Sequence, residues 1–585
     1  MKNFLKYVLA NIVAIMVVIA LFFIFIAFMV VSSAIGDSSK SSVRKNSVLT
    51  LDFNTNIIDS PTEDQDGMFS LNQKQQSNVL IYDMLEAIKK AKTDDKIMGI
   101  SIETDGIKAG ITQLDDVRAA LEDFKKSGKF VYAYGNVVSQ GAYYLGSVAD
   151  QYFLNPSGGI ELRGMSTEVP FFKNFADKYG IGIQVIRHGK FKAAVEPYMR
   201  NEISPENREQ LSTLLNDIWG QTSTKIYRSR KIDSAQFRIA VDSLYAIIPD
   251  LSLKNKLVDK LLQKTEYDNL IKSKLKLSEK DKLHKITFSK YIDSYHEDLT
   301  KKDNQVAVLY ASGAIYNGDG YEDVHAEKFV RDIKKLAEND KVKAVVFRVN
   351  SPGGSANASD EILFELEQLK KKKPLIISFG DYAASGGYYV AMGADKIYSE
   401  PNTITGSIGV FGVFAHVKEL AARNGIRADE VSTNANSNMV SVLNGMSPGT
   451  VNIMTKSVEE TYKRFVYFVT KNRKKSFEQI DEIGGGRVWS GTRAKQIGLV
   501  DELGSLNDAI RFAAQKANLK DYNVATYPKK ISAWEQIFKN MEGEDLSARL
   551  IKSKIGTQNY KVFQQLTDPK MQNGVMMEMP YQVKF

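Results

Sequence analysis

The stretch IISFGDYAASGGYYVAMGADKIYSEP, residues 376–401, decides the fold because a second copy of it lies upstream in the same chain. Residues 131–156, VYAYGNVVSQGAYYLGSVADQYFLNP, align with it at a constant offset of 245 positions, from 131 to 376. The same offset matches residues 95–96 with 340–341 and residues 180–181 with 425–426. An ungapped match at so long a period predicts two duplicated domains rather than a solenoid.

The second copy has the pattern of an α/β domain. KAVVFRVN, residues 343–350, is rich in β-branched residues and ends at the turn SPGG, which predicts a buried strand. PLIISFG, residues 374–380, predicts the next strand. Residues 359–373 between them have helical spacing, with Ser359 as the expected N-cap. Strands that alternate with helices predict right-handed crossovers and a largely parallel sheet.

The chain of 585 residues is long enough for two or more domains. The predicted segments are a cytoplasmic N-terminus with a transmembrane anchor (1–36), an N-terminal repeat (47–271), a charged linker (272–304), a C-terminal repeat (305–521) and a tail without a readable role (522–585).

The N-terminal segment has the composition of a membrane anchor. Residues 7–36 carry no charged side chain and residues 12–31 are almost wholly apolar. About 20 apolar residues suffice to cross a bilayer. Lys2 and Lys6 lie before this run, so that side is predicted to be cytoplasmic and the rest of the chain to face outward. The alternative is a cleaved signal peptide, whose apolar region is usually shorter, about 7–15 residues.

Composition excludes several other classes of protein. The chain has no cysteine, which excludes thiol catalysis, disulfides and cysteine-bound metals. Its 5 histidines form no HExxH or HxH pair, so no metal site is predicted. The net charge of +9 suits an anionic membrane surface. No nucleic-acid-binding signature accompanies that charge, so no nucleic-acid partner is predicted.

Ser385 is the reactive residue at the centre of the decisive stretch. Its neighbours in AASGG are all small, and it is predicted to open a helix, where free N–H groups favour negative charge. The turn NSPGGS, residues 350–355, offers further N–H groups at Gly353 and Gly354. Two converging donors would make an oxyanion hole. The alternative for these motifs is an ordinary turn and a small-residue packing site.

Comparison of the two copies shows a complementary loss. Ser385 corresponds to Gln140, and the Gly353–Gly354 turn corresponds to Lys108–Ala109, so the first copy lacks a nucleophile. The first copy instead contains GKFKAAVEPYMR, residues 189–200, in which Lys192 corresponds to Ser437. This pattern predicts that Lys192 and Ser385 form one pair across the two repeats.

A lysine can replace histidine as a general base only when it is neutral. Its ordinary pKa is about 10.4, and burial can lower a lysine pKa by up to ~3–5 units. The alternative for Lys192 is a solvated surface lysine, because most lysines are exposed.

The motifs closely resemble those of the signal peptide peptidase A family in its long tandem-repeat form, also called protease IV. The likeness covers roughly residues 1–521. The blocks that carry it are FGDYAASGGYYVA, NSPGG, TGSIGVFG, FKAAVEPYMR and GRVWSGTRAKQIGLVDELG. The resemblance implies a ClpP/crotonase-like fold in each repeat and a serine endopeptidase with a Ser/Lys dyad that needs no cofactor.

The resemblance also implies roles for particular residues. Ser385 would be the nucleophile and Lys192 the general base, with Lys190 as the rival lysine. Gly354 and Gly386 would supply the oxyanion donors. Ser407, in TITGSIG, matches a serine that orients the lysine, and its counterpart in the first repeat is Leu162.

The family further implies where such a chain works and with what. Its members are held in the bacterial inner membrane by a single span, with the catalytic domains on the periplasmic side. They assemble as a bowl-shaped tetramer and degrade hydrophobic peptides such as cleaved signal peptides.

Two rival functions remain open from sequence. A crotonase-like enzyme would hold a thioester enolate with paired N–H groups and would not need Ser385. A membrane scaffold with two inactive repeats would have no catalysis at all.

Overall fold

A computed structural model describes residues 43–61, 77–295, 303–320, 323–528 and 576–579, together with parts of the segment 6–24. The predicted transmembrane helix, residues 12–31, falls in part outside these ranges and is not supported by the described residues. Within the described part of the chain, no helix combines the length and the apolar character needed to cross a membrane.

The strands are numbered here in chain order. They are β1 Ser47–Asp52, β2 Thr55–Ile58, β3 Ser77–Leu80, β4 Ile97–Glu103, β5 Phe130–Val138, β6 Gln151–Ile160, β7 Gly182–His188, β8 Lys260–Leu261, β9 Lys285–Thr287, β10 Gln305–Ser312, β11 Ile315–Tyr316, β12 Val324–His325, β13 Val342–Ser351, β14 Gly353–Ser355, β15 Leu375–Ala384, β16 Lys396–Ser399, β17 Ile404–Gly406, β18 Val410–His416, β19 Val488–Ser490, β20 Glu502–Leu503, β21 Asn523–Tyr527 and β22 Met576–Glu578.

The helices separate these strands. In the first repeat they are Ile81–Thr93, Ile111–Lys125, Gln140–Gly146, Lys173–Tyr179, Glu196–Met199, Pro205–Arg230, Ser234–Asp242, Pro249–Lys254, Lys264–Lys274 and Phe288–Asp293. In the second they are Ala326–Glu338, Ala356–Lys370, Gly386–Tyr389, Lys418–Arg423, Pro448–Arg473, Phe477–Ile483, Gly491–Gln496 and Leu506–Lys516. Short 3₁₀ turns cover Ala193–Val195, Tyr245–Ile247 and Val390–Gly393.

Each repeat is built on its own parallel sheet, which confirms the predicted α/β class. The sheet of the first repeat has the strand order β8-β6-β5-β4-β1-β9 and is parallel throughout. The strand β9 lies within residues 272–304 and pairs with β1. The sheet of the second repeat has the order β19-β17-β15-β13-β10-β21, with β16 and β20 beside β15. Only its β17–β19 pair is antiparallel among the described strands.

The central strands of the second sheet are buried on both faces. Along β10, Ala307 and Leu309 pack into one apolar core while Val306 and Val308 pack into another. Parallel sheets covered by helices on both faces have this pattern. The sheet is therefore a rigid base for the loops at its carboxyl end.

A third sheet joins the two repeats. Its order is β12-β11-β14-β22-β18-β7, in which only β7 comes from the first repeat. Strand β7 runs antiparallel to β18, with His188 opposite Val410 and Gly182 opposite His416. This pairing fixes the first repeat against the second.

The strands predicted at 343–350 and 374–380 are present as β13 and β15, and β15 continues to Ala384. The N-cap prediction is wrong. The helix begins at Ala356, and the Ser355 hydroxyl accepts the Ala358 N–H at 3.3 Å. Ser359 lies inside the helix, where its hydroxyl donates to the Ser355 carbonyl at 2.9 Å. The SPGG turn leads directly into the helix, so Ser355, the residue after the turn, is the N-cap.

Candidate active site

Ser385 lies where β15 passes into the helix Gly386–Tyr389. Its φ of 57° is in the left-handed region, which is uncommon for a residue with a side chain. The sharp bend is held by hydrogen bonds from Ser385 N to the Gly406 carbonyl and from Tyr389 N to the Ser385 carbonyl, both 2.8 Å long. Strained backbone of this kind is typical of functional sites. The Ser385 side chain at this bend is fully buried.

The glycines of the predicted oxyanion site lie beside this serine. Gly353 and Gly354 have φ values of 101° and 155°, and Gly386 follows Ser385 directly. A Cβ atom on Gly353 would lie 2.7 Å from the Gly386 nitrogen, and one on Gly386 would lie 3.2 Å from the Gly354 nitrogen. Side chains there would block the approach of the two backbones. The glycine turn therefore lies close against the backbone at Gly386, directly after Ser385.

Lys192 enters the same site from the first repeat. Its side chain is only 1 % exposed, and Nζ donates to the Ser385 Oγ at 2.8 Å. It also donates to the Ser407 Oγ at 3.0 Å and to the Ser407 carbonyl at 3.2 Å. The three oxygen atoms are uncharged. Lys190, the rival lysine, is exposed and lies over the Phe191 ring.

The antiparallel β7–β18 pair explains this meeting of distant residues. Lys192 follows the end of β7 by 4 positions, and Ser407 precedes the start of β18 by 3. Because His188 lies opposite Val410, the end of one strand is beside the start of the other. The first repeat therefore delivers the lysine, and the second delivers both serines, within one chain.

The segment GGGR, residues 484–487, is a part of the site whose role the sequence did not reveal. The Phe191 N–H donates to the Gly485 carbonyl at 3.0 Å. A Cβ atom on Gly486 would lie 2.5 Å from the Lys192 nitrogen. On its other side the loop binds the Ser407 segment, because Ser407 N donates to the Arg487 carbonyl at 2.7 Å. The signal was the glycine triplet itself, since three glycines allow close backbone contacts.

Gln210 is a second contributor that the sequence did not indicate. Its side chain is 1 % exposed, and Nε2 donates to the Phe191 carbonyl at 3.1 Å. Its Oε1 accepts the Val488 N–H at 3.2 Å. One amide thus connects the lysine loop to β19, the neighbour of β17. Because glutamine is mostly exposed in proteins, an isolated Gln on a helix carries no signal in sequence.

Glu196 fixes the same loop from the other end. Its buried carboxylate accepts hydrogen bonds from the Ser204 N–H and hydroxyl and, at 3.0 Å, from Asn207 Nδ2. Asn207 in turn accepts from Gln210 at 3.1 Å. The lysine loop is therefore held by a continuous network of buried polar groups.

Buried charges lie between the repeats behind the site. Arg348 binds Asp59 with Nε and Nη2 at 2.9–3.2 Å, and both side chains are essentially fully buried. Asp381 accepts the Thr112 N–H and hydroxyl at 3.0 and 2.9 Å. Burial raises the pKa of Asp381 above its ordinary value, against these hydrogen bonds, and the charge of Asp59 adds to the rise.

Two further carboxyls between the repeats are held near or in the neutral form. Burial raises the pKa of Asp116 to about 7. It raises the pKa of Glu400 well above its ordinary value, and the nearby Asp116 charge adds to this. One oxygen of each carboxyl has no hydrogen-bond partner among the described residues. These groups favour the protonated state.

The arrangement has a definite chemical capacity. A neutral amine 2.8 Å from a hydroxyl oxygen can accept its proton as the oxygen attacks a carbonyl. Two N–H groups beside that oxygen can stabilise the charge that develops. A buried serine beside a lysine is the arrangement found in serine hydrolases that use lysine in place of histidine.

Comparison with known proteins assigns the chain more closely. The model of peptidase family S49 matches residues 123–278 and 367–520, and the model of the Clp protease family matches residues 297–405. Protease 4 of Salmonella typhi is 33 % identical over 544 residues, which cover 90 % of this chain and 88 % of that protein. A putative signal peptide peptidase SppA of Enterococcus faecium is 34 % identical over 207 residues, 35 % of this chain and 60 % of that protein.

Among solved structures, a ClpP1 mutant from Listeria monocytogenes matches 35 % of this chain and 94 % of its own, with 18 % identity and a TM-score of 0.24. The chain belongs to peptidase family S49, in its tandem-repeat form, and is a serine peptidase with a ClpP-like α/β fold.

Proposed function

We propose that this chain is a membrane-anchored serine endopeptidase that degrades hydrophobic peptides, such as cleaved signal peptides, with a Ser385/Lys192 dyad. The observation that carries the proposal is the 2.8 Å contact between Lys192 Nζ and Ser385 Oγ inside a buried site. The family assignment supports peptide hydrolysis as the reaction.

Acylation begins with the neutral form of Lys192. Its amine takes the proton of Ser385 as the oxygen attacks the peptide carbonyl and forms a new C–O bond. The Gly354 and Gly386 N–H groups stabilise the oxyanion. Lys192, now an ammonium, gives the proton to the leaving amine as the C–N bond breaks, which leaves an acyl-enzyme.

Deacylation uses the same groups. Lys192 takes a proton from water as the water attacks the acyl carbonyl, and it returns that proton to Ser385 Oγ as the ester bond breaks. Ser407 holds the amine through its hydroxyl and carbonyl throughout. The Lys192 side chain is 1 % exposed, and the proposed mechanism uses its neutral form as the base. No cofactor takes part in these steps.

Hydrophobic peptides are the proposed substrates for two reasons. The relative from Enterococcus faecium is named as a putative signal peptide peptidase. Apolar side chains also lie around the serine, because Ala384 packs with Ile404, Val488 and Leu214. Such a wall favours apolar residues of a substrate.

Membrane attachment, location and assembly are parts of the proposal that rest on the sequence and the resemblance. The apolar run 12–31 would hold the chain in the bacterial inner membrane, with both repeats on the periplasmic side. An anchor of this kind raises the effective concentration of the enzyme near membrane-held peptides. The proposed assembly is a tetramer, which light scattering of the detergent-purified chain would measure.

The test is activity-based labelling of full-length protein with a fluorophosphonate probe, alongside hydrolysis of an apolar fluorogenic peptide. Wild type should label and hydrolyse. Ser385→Ala should lose both, because the nucleophile is gone. Lys192→Met should lose both while it keeps the length and apolar stem of the side chain.

Lys190→Met is the matched control, since this exposed lysine lies two residues from Lys192. It should retain wild-type labelling. Undiminished labelling of Ser385→Ala or of Lys192→Met, with folding unchanged by circular dichroism, would contradict the dyad.

A further inference from the structure

Tyr462, on the long helix Pro448–Arg473 of the second repeat, contacts the segment that carries Lys192. The tyrosine side chain is buried in the core of the second repeat. Its ring stacks on the imidazole of His188, the last residue of β7, with the ring centroids 3.8 Å apart and the planes at 25°. The chain that leads to Lys192 therefore leaves β7 in contact with this ring.

The hydroxyl of Tyr462 holds a second part of the site, the GGGR segment (residues 484–487). It accepts the Gly485 N–H at 3.3 Å and donates to Asp481 Oδ1. Burial raises the pKa of Tyr462 above its ordinary value, and the hydrogen bond with Asp481 adds to the rise. The phenol therefore stays protonated, and in that form it can donate one hydrogen bond and accept another.

The GGGR segment touches both parts of the chain that meet at the amine of Lys192. On one side, the Gly485 carbonyl accepts the Phe191 N–H at 3.0 Å. On the other side, the Arg487 carbonyl accepts the Ser407 N–H at 2.7 Å. Ser407 supplies two of the three oxygen atoms that bind the amine. The position of the amine therefore depends on the conformation of this segment.

The three consecutive glycines of the segment, residues 484–486, need contacts of this kind to adopt one conformation. Glycine loses more conformational freedom on folding than any other residue. Gly485 and Gly486 have φ values of 57° and 88°, in the left-handed region. Both main-chain groups of Gly485 are bound, because Tyr462 holds its N–H and Phe191 holds its carbonyl. The tyrosine hydroxyl thus supplies one of the contacts that fix the segment.

We propose that Tyr462 is a positioning residue for Lys192 that acts through the GGGR segment. The proposal rests on the proposed Ser385/Lys192 dyad. Without the hydroxyl, the Gly485 N–H loses its partner and the segment can shift. Proton transfer is sensitive to a small displacement of the amine, so the loss should appear in the chemical step rather than in peptide binding.

The test compares full-length Tyr462→Phe with wild type. This change removes one oxygen atom and keeps the ring that stacks on His188. It should lower kcat for an apolar fluorogenic peptide about tenfold at an unchanged KM, and it should move the pH profile of kcat/KM because the surroundings of the proposed base change. Tyr467→Phe, the same change at an exposed position of the same helix, is the matched control and should behave as wild type.

A second arm measures whether the hydroxyl acts through Lys192. Fluorophosphonate labelling rates are compared for wild type, Tyr462→Phe, Lys192→Met and the double variant. Tyr462→Phe should slow labelling about tenfold when the lysine is present. It should change the rate by less than about twofold in the Lys192→Met background, because two changes that act on one group are not additive.

The same loss of rate in both backgrounds would overturn the positioning role. A wild-type kcat and pH profile in Tyr462→Phe would also overturn it, even if the melting temperature of the variant fell. Those results would leave the dyad standing as long as Lys192→Met itself slows labelling. Failure of the dyad would appear differently, as undiminished labelling of Lys192→Met.

Discussion

Tyr143 and Tyr388 occupy equivalent positions in the two repeats, and both make the same contact. Each hydroxyl donates to a main-chain carbonyl, that of Leu257 at 2.8 Å and that of Leu499 at 2.7 Å. The ion pairs Arg230–Asp259 and Arg473–Asp501 correspond in the same way, each 2.9 Å long. The helices Pro205–Arg230 and Pro448–Arg473 both have 26 residues and a serine cap. The repeats thus retain one scaffold.

The repeats differ at the position of the proposed nucleophile, Ser385. At the position of Ser385 the first repeat has Gln140, whose amide oxygen accepts the Arg163 and Gly164 N–H groups at 3.1 and 2.9 Å. Its nitrogen donates to the Gly164 carbonyl at 3.0 Å. The Gln140 side chain therefore links the start of its helix to the main chain of residues 163–164.

Under the proposed mechanism, each of the two repeats supplies part of one active site. Contacts that hold the sheets and helices are kept in both repeats, whereas the proposed reacting residues are divided between them. Since the parts meet through β7 and β18, the catalytic geometry depends on how the two repeats dock. The predictions below test that dependence.

The largest expected effect separates the equivalent positions Ser385 and Gln140. Ser385→Ala should lower kcat/KM for peptide hydrolysis by about 10³-fold or more, because a lone nucleophile cannot be replaced by its neighbours. Gln140→Ser should leave activity near that of wild type, because the second repeat has Ser437 at the position that corresponds to Lys192. Steady-state kinetics of the purified variants would measure both. A large loss of peptide hydrolysis in Gln140→Ser, with none in Ser385→Ala, would contradict the proposed roles of the two positions.

The next effect concerns the buried ion pair that joins the repeats. Asp59→Ala should lower the free energy of unfolding by about 3–5 kcal/mol, because it leaves the Arg348 guanidinium buried without its carboxylate. Asp319→Ala, which removes an exposed pair with Arg331, is the control and should change stability little. Chemical denaturation would measure the difference. Equal stabilities would mean that this pair does not hold the interface.

A smaller effect is expected at Gln210, a positioning residue for Lys192. Gln210→Ala should lower kcat by about 10²-fold with little change in KM, because a small displacement of the amine disturbs proton transfer. The pH profile of kcat/KM should shift as well, since the surroundings of the base change. Arg208→Ala, an exposed change on the same helix, is the control. A KM effect alone, with the pH profile unmoved, would contradict a positioning role.

The smallest effect is a dependence of stability on pH at Asp116. Its folded pKa of about 7 lies above the ordinary value of 3.8, so the folded state binds a proton that the unfolded state releases. Stability should therefore fall as pH rises from about 4 to 7. Asp116→Asn should flatten this slope and be more stable than wild type at pH 8, by ~1–3 kcal/mol. An identical slope in both proteins would exclude Asp116 as its source.

Much of this architecture could be predicted from the sequence because the two repeats can be aligned with each other. The offset predicted two α/β units, and the complementary losses pointed to Lys192 and Ser385, which the structure places 2.8 Å apart. Ser407 and the two glycines followed from the resemblance, and the structure places them in the same site. The catalytic roles of these five residues stay predictions.

Other features could not be predicted because they depend on three-dimensional contacts between distant segments. The β7–β18 pairing joins strands more than two hundred residues apart. The local sequence of either strand does not indicate which distant strand it pairs with. Gln210 and the Gly485–Gly486 loop contribute through contacts with main-chain atoms of distant segments. The Ser359 cap was predicted wrongly because the preceding turn already contained a better-placed serine.

The measurement that tests the central claim most directly is the pH dependence of fluorophosphonate labelling in wild type and Lys192→Met. If a neutral lysine from the first repeat activates Ser385, the wild-type rate should rise with pH to a plateau as the ammonium loses its proton. The variant should label about 10³-fold more slowly at neutral pH and without that rise. Equal rates and equal pH profiles in the two proteins would contradict the account.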